Sequence, residues 1–188
     1  MASFDIISLS YLFSRLSPFI IIIYFVLQSV FNQNLKGIFY VAGVLLACLL
    51  NYMITPMFFP KTPSNASLAC NLIDGMPNLP LGQTILGFTA TYLGFIIVKY
   101  KLAKQNLPTF ILFPILIAAD WIWNYTNDCV HMLTLFASLA IGCGFGLVWG
   151  AIIDTVDPEL QFFNGIGNKN VCSRPSSTLY RCKLKPMN

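Results

Sequence analysis

The sequence predicts an all-α membrane protein: a polytopic bundle of about five transmembrane helices followed by a short polar C-terminal tail. Apolar residues make up 56% of the 188 residues and charged residues only 10%, whereas an average soluble domain carries about 25% charged residues. The apolar residues also form unbroken runs long enough for the ~20 residues that cross a bilayer. Because so few charged side chains cannot cover a soluble fold of this size, lipid is expected to cover most of the surface.

Five runs reach that length, at about 9–31, 38–59, 81–98, 108–125 and 129–153. Arg15 and Pro18 interrupt the first run, so residues 3–16 either continue the first span or form an amphipathic helix on the membrane surface. The runs are continuous, whereas the strands of membrane barrels alternate apolar and polar residues. Helices are therefore predicted, with a transmembrane bundle at residues 1–153 and a tail at residues 154–188.

Positive residues fall unevenly on the two sides of this predicted bundle. With five spans, the first connection, the third connection and the tail share one side and carry nine of the 11 Lys and Arg residues. Because cytosolic segments of membrane proteins are enriched in Lys and Arg, the tail is placed in the cytosol. These residues lie between apolar runs rather than in one dense patch, so no nucleic-acid partner is expected.

The proline-rich connection at 60–80 is placed on the opposite, non-cytosolic side. It contains Asn65 in an Asn-Ala-Ser sequon, a candidate glycosylation site. Such tripeptides also arise by chance, so the sequon agrees with the predicted orientation without establishing it.

Four cysteines are candidates for disulfides. Cys70 and Cys129 share the non-cytosolic side, where a disulfide can form. Cys172 and Cys182 lie in the tail and either close a small loop, bind a metal or remain free thiols. Two cysteines without histidine partners make a weak metal site, so no metal and no cofactor are expected.

Glycines repeat on one face of the fifth run. Gly142, Gly146 and Gly150 form two overlapping GxxxG motifs, which let two membrane helices approach closely. The partner is either another span of this chain or a second copy, and packing within the chain is the prediction.

Two ionisable residues are candidates for chemistry. Asp120 lies inside the fourth run, where such a group costs at least ~2.5 kcal/mol at mid-bilayer and usually faces the bundle interior. It is either a proton or ion site, or a residue hydrogen-bonded to a neighbouring helix, with Asn51 as candidate partner; the second interpretation is favoured. The single histidine, His131, opens the fifth run. A nucleophile or base needs a group that activates it, so a polar residue at headgroup level is favoured.

The chain from Pro56 to Ile153 resembles the type 2 phosphatidic acid phosphatase family in its layout. Asp74-Gly-Met-Pro77 is similar to the Gly-Met-Pro sequence that often opens the family's second motif, and a span follows soon after it. His131 then begins a glycine-rich helix, as the family's nucleophilic histidine does. The resemblance implies a helical membrane fold with its motifs grouped at one membrane face.

Positions that match the family's catalytic residues carry other side chains. In chain order these positions are Thr55, Thr62, Pro80, the pair Asn124-Tyr125, and Leu135. Pro80 replaces the acid histidine, and Leu135 replaces the Asp that would orient His131. Because phosphoryl transfer needs cations to hold the charged oxygens, no catalytic residue is assigned and the chain is expected to be inactive.

The tail carries a second resemblance. Cys172-Ser-Arg-Pro175 followed by Tyr180-Arg-Cys-Lys183 is similar to the tail of small virion membrane proteins of large nucleocytoplasmic DNA viruses. In those proteins a degenerate phosphatase-like bundle sits in the membrane beneath the capsid. The resemblance implies a non-enzymatic structural protein, a minor capsid component of the virion internal membrane. Its expected partners are the lipid bilayer and, through the tail, other virion or capsid proteins.

Two alternatives remain open at this point. One is an active lipid phosphate phosphatase that uses His131 with an unrecognised set of cations. The other is a small channel or transporter built around Asp120 and Asn51.

Overall fold

The computed structural model describes residues 6–58, 80–127 and 129–162, with side chains from residue 16 onward except those of residues 56 and 159. Within these ranges every regular element is helical. The elements are α1 (Ile6–Phe31), α2 (Lys36–Phe58), α3 (Leu81–Lys99), α4 (Leu107–Thr126), α5 (Met132–Val156) and a 3-10 turn at Pro158–Leu160. The predicted all-α fold is confirmed.

Four helices, α2 to α5, are long and apolar enough to cross a membrane, so the chain is a multi-pass membrane protein. The first predicted span corresponds to α1, which is one continuous helix of 26 residues. Side chains of α1 are described from Leu16 onward, and the apolar stretch Leu16–Phe31 is shorter than each of the four helices that are long enough to cross a membrane. Because α1 passes through Pro18 without a break, residues 6–16 belong to the same helix as the apolar stretch and do not form a separate surface helix.

The most extensive helix–helix contact joins α3 to α5. A methyl group on Gly142 would collide with the carbonyl oxygen of Thr84, and one on Gly146 would lie 2.5 Å from the carbonyl oxygen of Phe88. Gly142, Gly146 and Gly150 therefore face α3, as the glycine spacing predicted, and their partner is a helix of the same chain.

Hydrogen bonds accompany this close approach. Thr84 Oγ1 donates to the carbonyl oxygen of Ser138 at 3.2 Å, and Thr91 Oγ1 donates to that of Cys143 at 3.0 Å. The later residue of α3 contacts the later residue of α5, so the two helices run parallel. Burial is highest on α3, where 61% of the span is buried, and α3 is therefore the central helix of the bundle.

An aromatic layer attaches α1 and α2 to this pair. Tyr40 of α2 is fully buried, and its hydroxyl lies 2.7 Å from Thr89 Oγ1 of α3. The Phe25 ring of α1 lies 4.5 Å from the Tyr40 ring. Tyr92 of α3 stacks on Phe88, also of α3, at 5.9 Å. The same buried cluster includes Phe113 of α4 and Ile153 of α5, so all five helices share one apolar core.

The bundle extends beyond the predicted boundary at 153/154. Helix α5 continues to Val156, and Gln161 after it is fully buried. Phe162 packs edge-on against Phe25 of α1, with ring centroids 4.4 Å apart. The start of the predicted tail therefore contacts the bundle as far as the described residues extend, because polar residues just after residue 153 are buried by contacts that polarity alone does not reveal. The division into bundle and tail stays a prediction.

These contacts also show which connections share an end of the bundle. Lys99 at the end of α3 pairs with Asp154 near the end of α5, and Phe162 reaches the second half of α1. The first connection, the third connection and the start of the predicted tail therefore lie at one end, as the five-span topology predicted.

Replacing Gly142 by alanine is expected to lower the free energy of unfolding by about 1–3 kcal/mol, the usual effect of overpacking. The added methyl group would meet backbone of α3, which cannot rotate away as a side chain could. Gly144→Ala is the matched control, because no atom lies within 4 Å of the methyl position there. Thermal unfolding of the purified protein in detergent measures both, and equal midpoints for the two variants would contradict the α3–α5 contact.

Candidate functional site

Polar side chains gather at both ends of the apolar bundle. The Asp120 cluster comprises Asn51, Thr55, Gln83, Asp120, Asn124, Thr134 and Ser138, all buried. The Asp154 cluster comprises Lys99, Tyr100, Asp154 and Gln161. Polar groups in a membrane bundle usually face its interior and mark either helix contacts or functional sites, so these two clusters are the candidate sites.

Asp120 lies in the second half of α4 and is only 3% exposed. Gln83, in the first turn of α3, donates from Nε2 to Asp120 Oδ2 at 2.8 Å and to the carbonyl oxygen of Ile117 at 3.2 Å. Asn124 donates from Nδ2 to the backbone oxygen of Asp120 at 2.7 Å. The carboxylate therefore joins α4 to α3.

Asn51 makes a different set of contacts. Its Oδ1 accepts from Ser138 Oγ of α5 at 3.1 Å and from Thr55 Oγ1 at 2.5 Å. Asn51 was the candidate partner of Asp120, but its Nδ2 has no hydrogen-bond acceptor in the described part of the chain. Asp120 instead accepts a hydrogen bond from Gln83 of the neighbouring α3. The reason is helix adjacency, because α4 packs against α3 and α1, whereas α2 packs against α5, α3 and α1.

Several polar atoms of the Asp120 cluster are buried without a hydrogen-bond partner in the described part of the chain. They are Asn51 Nδ2, Gln83 Oε1, Asn124 Oδ1 and Thr134 Oγ1. An unsatisfied polar group costs several kcal/mol in hydrocarbon, so this end of the bundle has hydrogen-bonding capacity left for water. The cluster offers one carboxylate and several amides and hydroxyls.

His131 lies at the start of α5, at the end of the bundle that carries the Asp120 cluster. Its backbone is extended and its carbonyl oxygen accepts from the amides of Thr134 and Leu135 at 2.9 and 3.2 Å. The side chain is exposed, and no hydrogen bond or ion pair to the imidazole is found among the described residues. Leu135, at the position of the family's orienting Asp, is 1% exposed and packs into a small apolar cluster with Cys129 and Val130.

Cys129 is fully buried and disulfide-bonded, whereas Cys48 and Cys143 are free thiols. The cysteine bonded to Cys129 therefore lies outside the described residues. Cys70, the predicted partner, lies there, as do Cys172, Cys182 and the candidate glycosylation site Asn65. A disulfide is typical of an oxidising compartment, which agrees with the predicted non-cytosolic placement of Cys129.

The Asp154 cluster lies at the opposite end of the bundle. Lys99 Nζ pairs with Asp154 Oδ2. Tyr100 donates its hydroxyl proton to Asp154 Oδ1 at 2.8 Å, and Gln161 donates from Nε2 to the same oxygen at 2.9 Å. The Gln161 amide also reaches the carbonyl oxygen of Gly150 at 3.3 Å. One carboxylate, 8% exposed, thus joins α3, α5 and the segment that follows α5.

Sequence reasoning missed the Asp154 cluster. In the sequence, Lys99 is one of the positive residues of the third connection, and Asp154 is the first residue of the predicted tail. A signal was present, because opposite charges follow directly after the last apolar residues of two spans that run in the same direction. Only the register of α3 on α5 shows that the two charges meet.

Comparison with known proteins adds no family to this description. No protein-family model, curated protein or solved structure matches the chain. The described helices and their polar contacts characterise the chain as a multi-pass helical membrane protein.

Asp120→Ala is expected to lower the free energy of unfolding by about 1–3 kcal/mol, because Gln83 Nε2 loses its carboxylate acceptor in a buried position. Asp120→Asn keeps an oxygen at the same place and should have a smaller effect. Equilibrium unfolding in detergent measures both variants. Thr126→Ala, at an exposed position of the same helix, is the control, and an Asp120→Ala variant as stable as this control would show that the buried contact contributes nothing.

Alkylation of the unfolded protein without reduction is expected to modify Cys48 and Cys143 and to leave Cys129 unmodified. Peptide mapping by mass spectrometry should join Cys129 to Cys70, the cysteine predicted to share its side of the membrane. An alkylated Cys129 would contradict the disulfide.

The same map tests the orientation of the tail. A link from Cys129 to Cys172 or Cys182 would place the tail cysteines on the same side of the membrane as Cys129. That outcome would contradict the predicted topology, in which the membrane separates them.

Proposed function

We propose that the chain is a non-enzymatic structural membrane protein, anchored by its helical bundle, whose C-terminal tail binds protein partners. The observation that carries the proposal is the Asp154 cluster. It attaches the chain segment after α5 to the ends of α3 and α5, so the residues beyond 162 are connected to the bundle at a defined point. A tail with a fixed base can hold a partner at a set position relative to the membrane.

The base of the tail is held by several independent contacts. Lys99 and Tyr100 of the α3 end bind the Asp154 carboxylate, and Gln161 binds both Asp154 and Gly150. Fully buried Gln161 cannot leave this position without taking its amide out of two hydrogen bonds. Phe162 adds an apolar contact to α1. These contacts support a permanent structural attachment.

The composition of the tail supports a protein partner of stated chemistry. Residues 163–188 carry five Lys and Arg residues and neither Asp nor Glu. Complementary charge steers and orients protein association, so the partner surface is expected to be acidic. The positive-inside rule supports a cytosolic position for this tail.

The resemblance of Cys172-Ser-Arg-Pro175 and Tyr180-Arg-Cys-Lys183 to the tails of virion membrane proteins supports one setting. In that setting the bundle lies in the internal membrane of a virion, and the tail meets the capsid as part of a minor capsid component. The Asp120 cluster then has a structural role, because its carboxylate and amides join neighbouring helices of the bundle.

The two other functions have weaker support. The channel or transporter hypothesis paired Asp120 with Asn51, but these residues hydrogen-bond to different helices. The phosphatase hypothesis needs an acid and several cations near His131. The His131 side chain is exposed, and among the described residues no hydrogen bond or ion pair joins an acid or a cation to its imidazole.

Truncation after Phe162 is expected to leave the chain in the membrane and to reduce its recovery in the native assembly at least ten-fold. The truncated chain keeps Gln161 and Phe162, so its bundle contacts remain. Recovery is measured by quantitative mass spectrometry of purified assemblies, against total membrane as the reference. Normal recovery of the truncated chain would refute a role of the tail in assembly.

Further variants test separately whether assembly needs the positive charge of the tail and whether it needs the attachment of the tail to the bundle. Lys183→Gln with Lys185→Gln removes charge from the tail, and Lys101→Gln with Lys104→Gln removes the same charge from the exposed α3–α4 connection as the matched control. Only the tail pair is expected to reduce recovery. Asp154→Ala is expected to reduce it as well, because the base of the tail is then released; unchanged recovery of Asp154→Ala would show that a fixed base is not needed.

A further inference from the structure

The Asp120 cluster contains one unsatisfied polar atom on each of four helices. These atoms are Asn51 Nδ2 of α2, Gln83 Oε1 of α3, Asn124 Oδ1 of α4 and Thr134 Oγ1 of α5. The four side chains are 0%, 1%, 1% and 4% exposed. Because a buried polar group without a partner is strongly destabilising, four such atoms in one cluster call for a common ligand.

The hydrogen bonds of two amides fix which of their atoms remains unsatisfied. Gln83 Nε2 donates to Asp120 Oδ2 and to the carbonyl oxygen of Ile117. Turning this amide over would place Oε1 against two acceptors, so its orientation follows from the bonding. The same holds for Asn124, whose Nδ2 donates to the backbone oxygen of Asp120. Both amide oxygens therefore need a donor that the described helices do not supply.

One network of hydrogen bonds connects the four helices at this level. Ser138 of α5 donates to Asn51 of α2 at 3.1 Å, and its carbonyl oxygen accepts from Thr84 of α3 at 3.2 Å. Gln83, the residue before Thr84, binds Asp120 of α4. The unsatisfied atoms therefore belong to a single interhelical network that is centred on the first turn of α3.

The cluster lies close to the ends of the helices. Gln83 is in the first turn of α3, Thr134 is in the first turn of α5, and Asn124 is in the last turn of α4. Helix ends of a membrane bundle lie near the headgroup region, where water is present, whereas the middle of each span lies in hydrocarbon. Water can therefore reach this end of the bundle as the helices assemble.

We propose that the Asp120 cluster is a binding site for water, which bridges α2, α3, α4 and α5 through these four atoms. The ligand has to donate to the oxygens of Gln83 and Asn124 and to accept from Asn51 Nδ2. Water does both. A metal cation would leave the Asn51 donor unsatisfied, and an anion would leave the amide oxygens unsatisfied. A buried water typically makes about three hydrogen bonds to such groups.

Bound water in this position links helices that side chains alone leave incompletely joined. Direct bonds connect α3 to α4 and α2 to α5, and water adds a bond to one further atom of each of these helices. The site is independent of the tail, which is attached at the opposite end of the bundle.

Thr134→Val tests the site, because valine keeps the shape of threonine and removes only the hydroxyl. If the hydroxyl binds water, the thermal midpoint of the full-length protein in detergent falls by about 2–4 °C, the shift that the loss of one hydrogen bond produces in a chain of this length. If the hydroxyl were unsatisfied, valine would remove a desolvation cost and the midpoint would rise. An unchanged or higher midpoint would overturn the proposal.

Thr155→Val is the matched control on the same helix. Its hydroxyl is exposed and bonds to the carbonyl oxygen of Ile152 within α5, so this variant measures the effect of the same replacement outside the cluster. The midpoint of Thr134→Val is expected to lie below that of Thr155→Val.

The same measurement in sodium chloride and in choline chloride at equal concentration separates water from a cation. The effect of Thr134→Val is expected to be equal in both salts. A wild-type midpoint that rises in sodium chloride, with no such rise in Thr134→Val, would overturn the proposal, because a cation would then occupy the site.

An experimental density map of the wild-type protein, at a resolution that shows ordered water, locates the ligand directly and does not depend on the folding of a variant. A density peak is expected at 2.7–3.2 Å from at least two of the four atoms, the distance range of a hydrogen bond. A map that shows ordered water elsewhere on the protein and none beside these atoms would refute the water site and leave the proposed role of the tail untouched.

Discussion

The close contact between α3 and α5 is the constraint on which the rest of the structure depends. Lipid gives membrane helices no hydrophobic reason to associate, so packing and interhelical hydrogen bonds must hold them together. Gly142 and Gly146 remove the side chains that would keep the helices apart, and Thr84 and Thr91 then reach carbonyl oxygens of α5. The contact also fixes the register of the two helices, and with it the meeting of their charged ends.

Polar contacts between helices complete the bundle at both of its ends. At one end the register of α3 on α5 brings Lys99 to Asp154, and the buried carboxylate then binds the segment after α5. At the other end the bundle buries amides and hydroxyls, and Gln83 neutralises part of the polarity of Asp120 by donating a hydrogen bond. Burying polar groups in pairs across helices specifies which helices are neighbours, since a mismatched neighbour would leave them unsatisfied. A bundle whose helices have specified neighbours is rigid, which is what the proposed anchoring function requires.

Much of the fold could be predicted because its determinants are local. Continuous apolar runs placed α2, α3 and α4 within two residues of their observed ends, since the length and hydropathy of a span are properties of the segment itself. The four-residue spacing of glycines likewise identified the packing face of α5. The end of α5 was placed too early because Asp154 reads as a tail residue when only its polarity is considered.

The sequence by itself determined that this chain forms apolar helices, where α2, α3 and α4 begin and end to within two residues, and which face of α5 packs closely. Only the tertiary structure decided that Asp120 binds Gln83 rather than Asn51, that Lys99 meets Asp154, and that polar atoms of four helices are buried together at one end of the bundle. The physical reason is that periodicity shows which face of a helix is buried, whereas the neighbour it meets, and at what height, depends on how all the helices pack together.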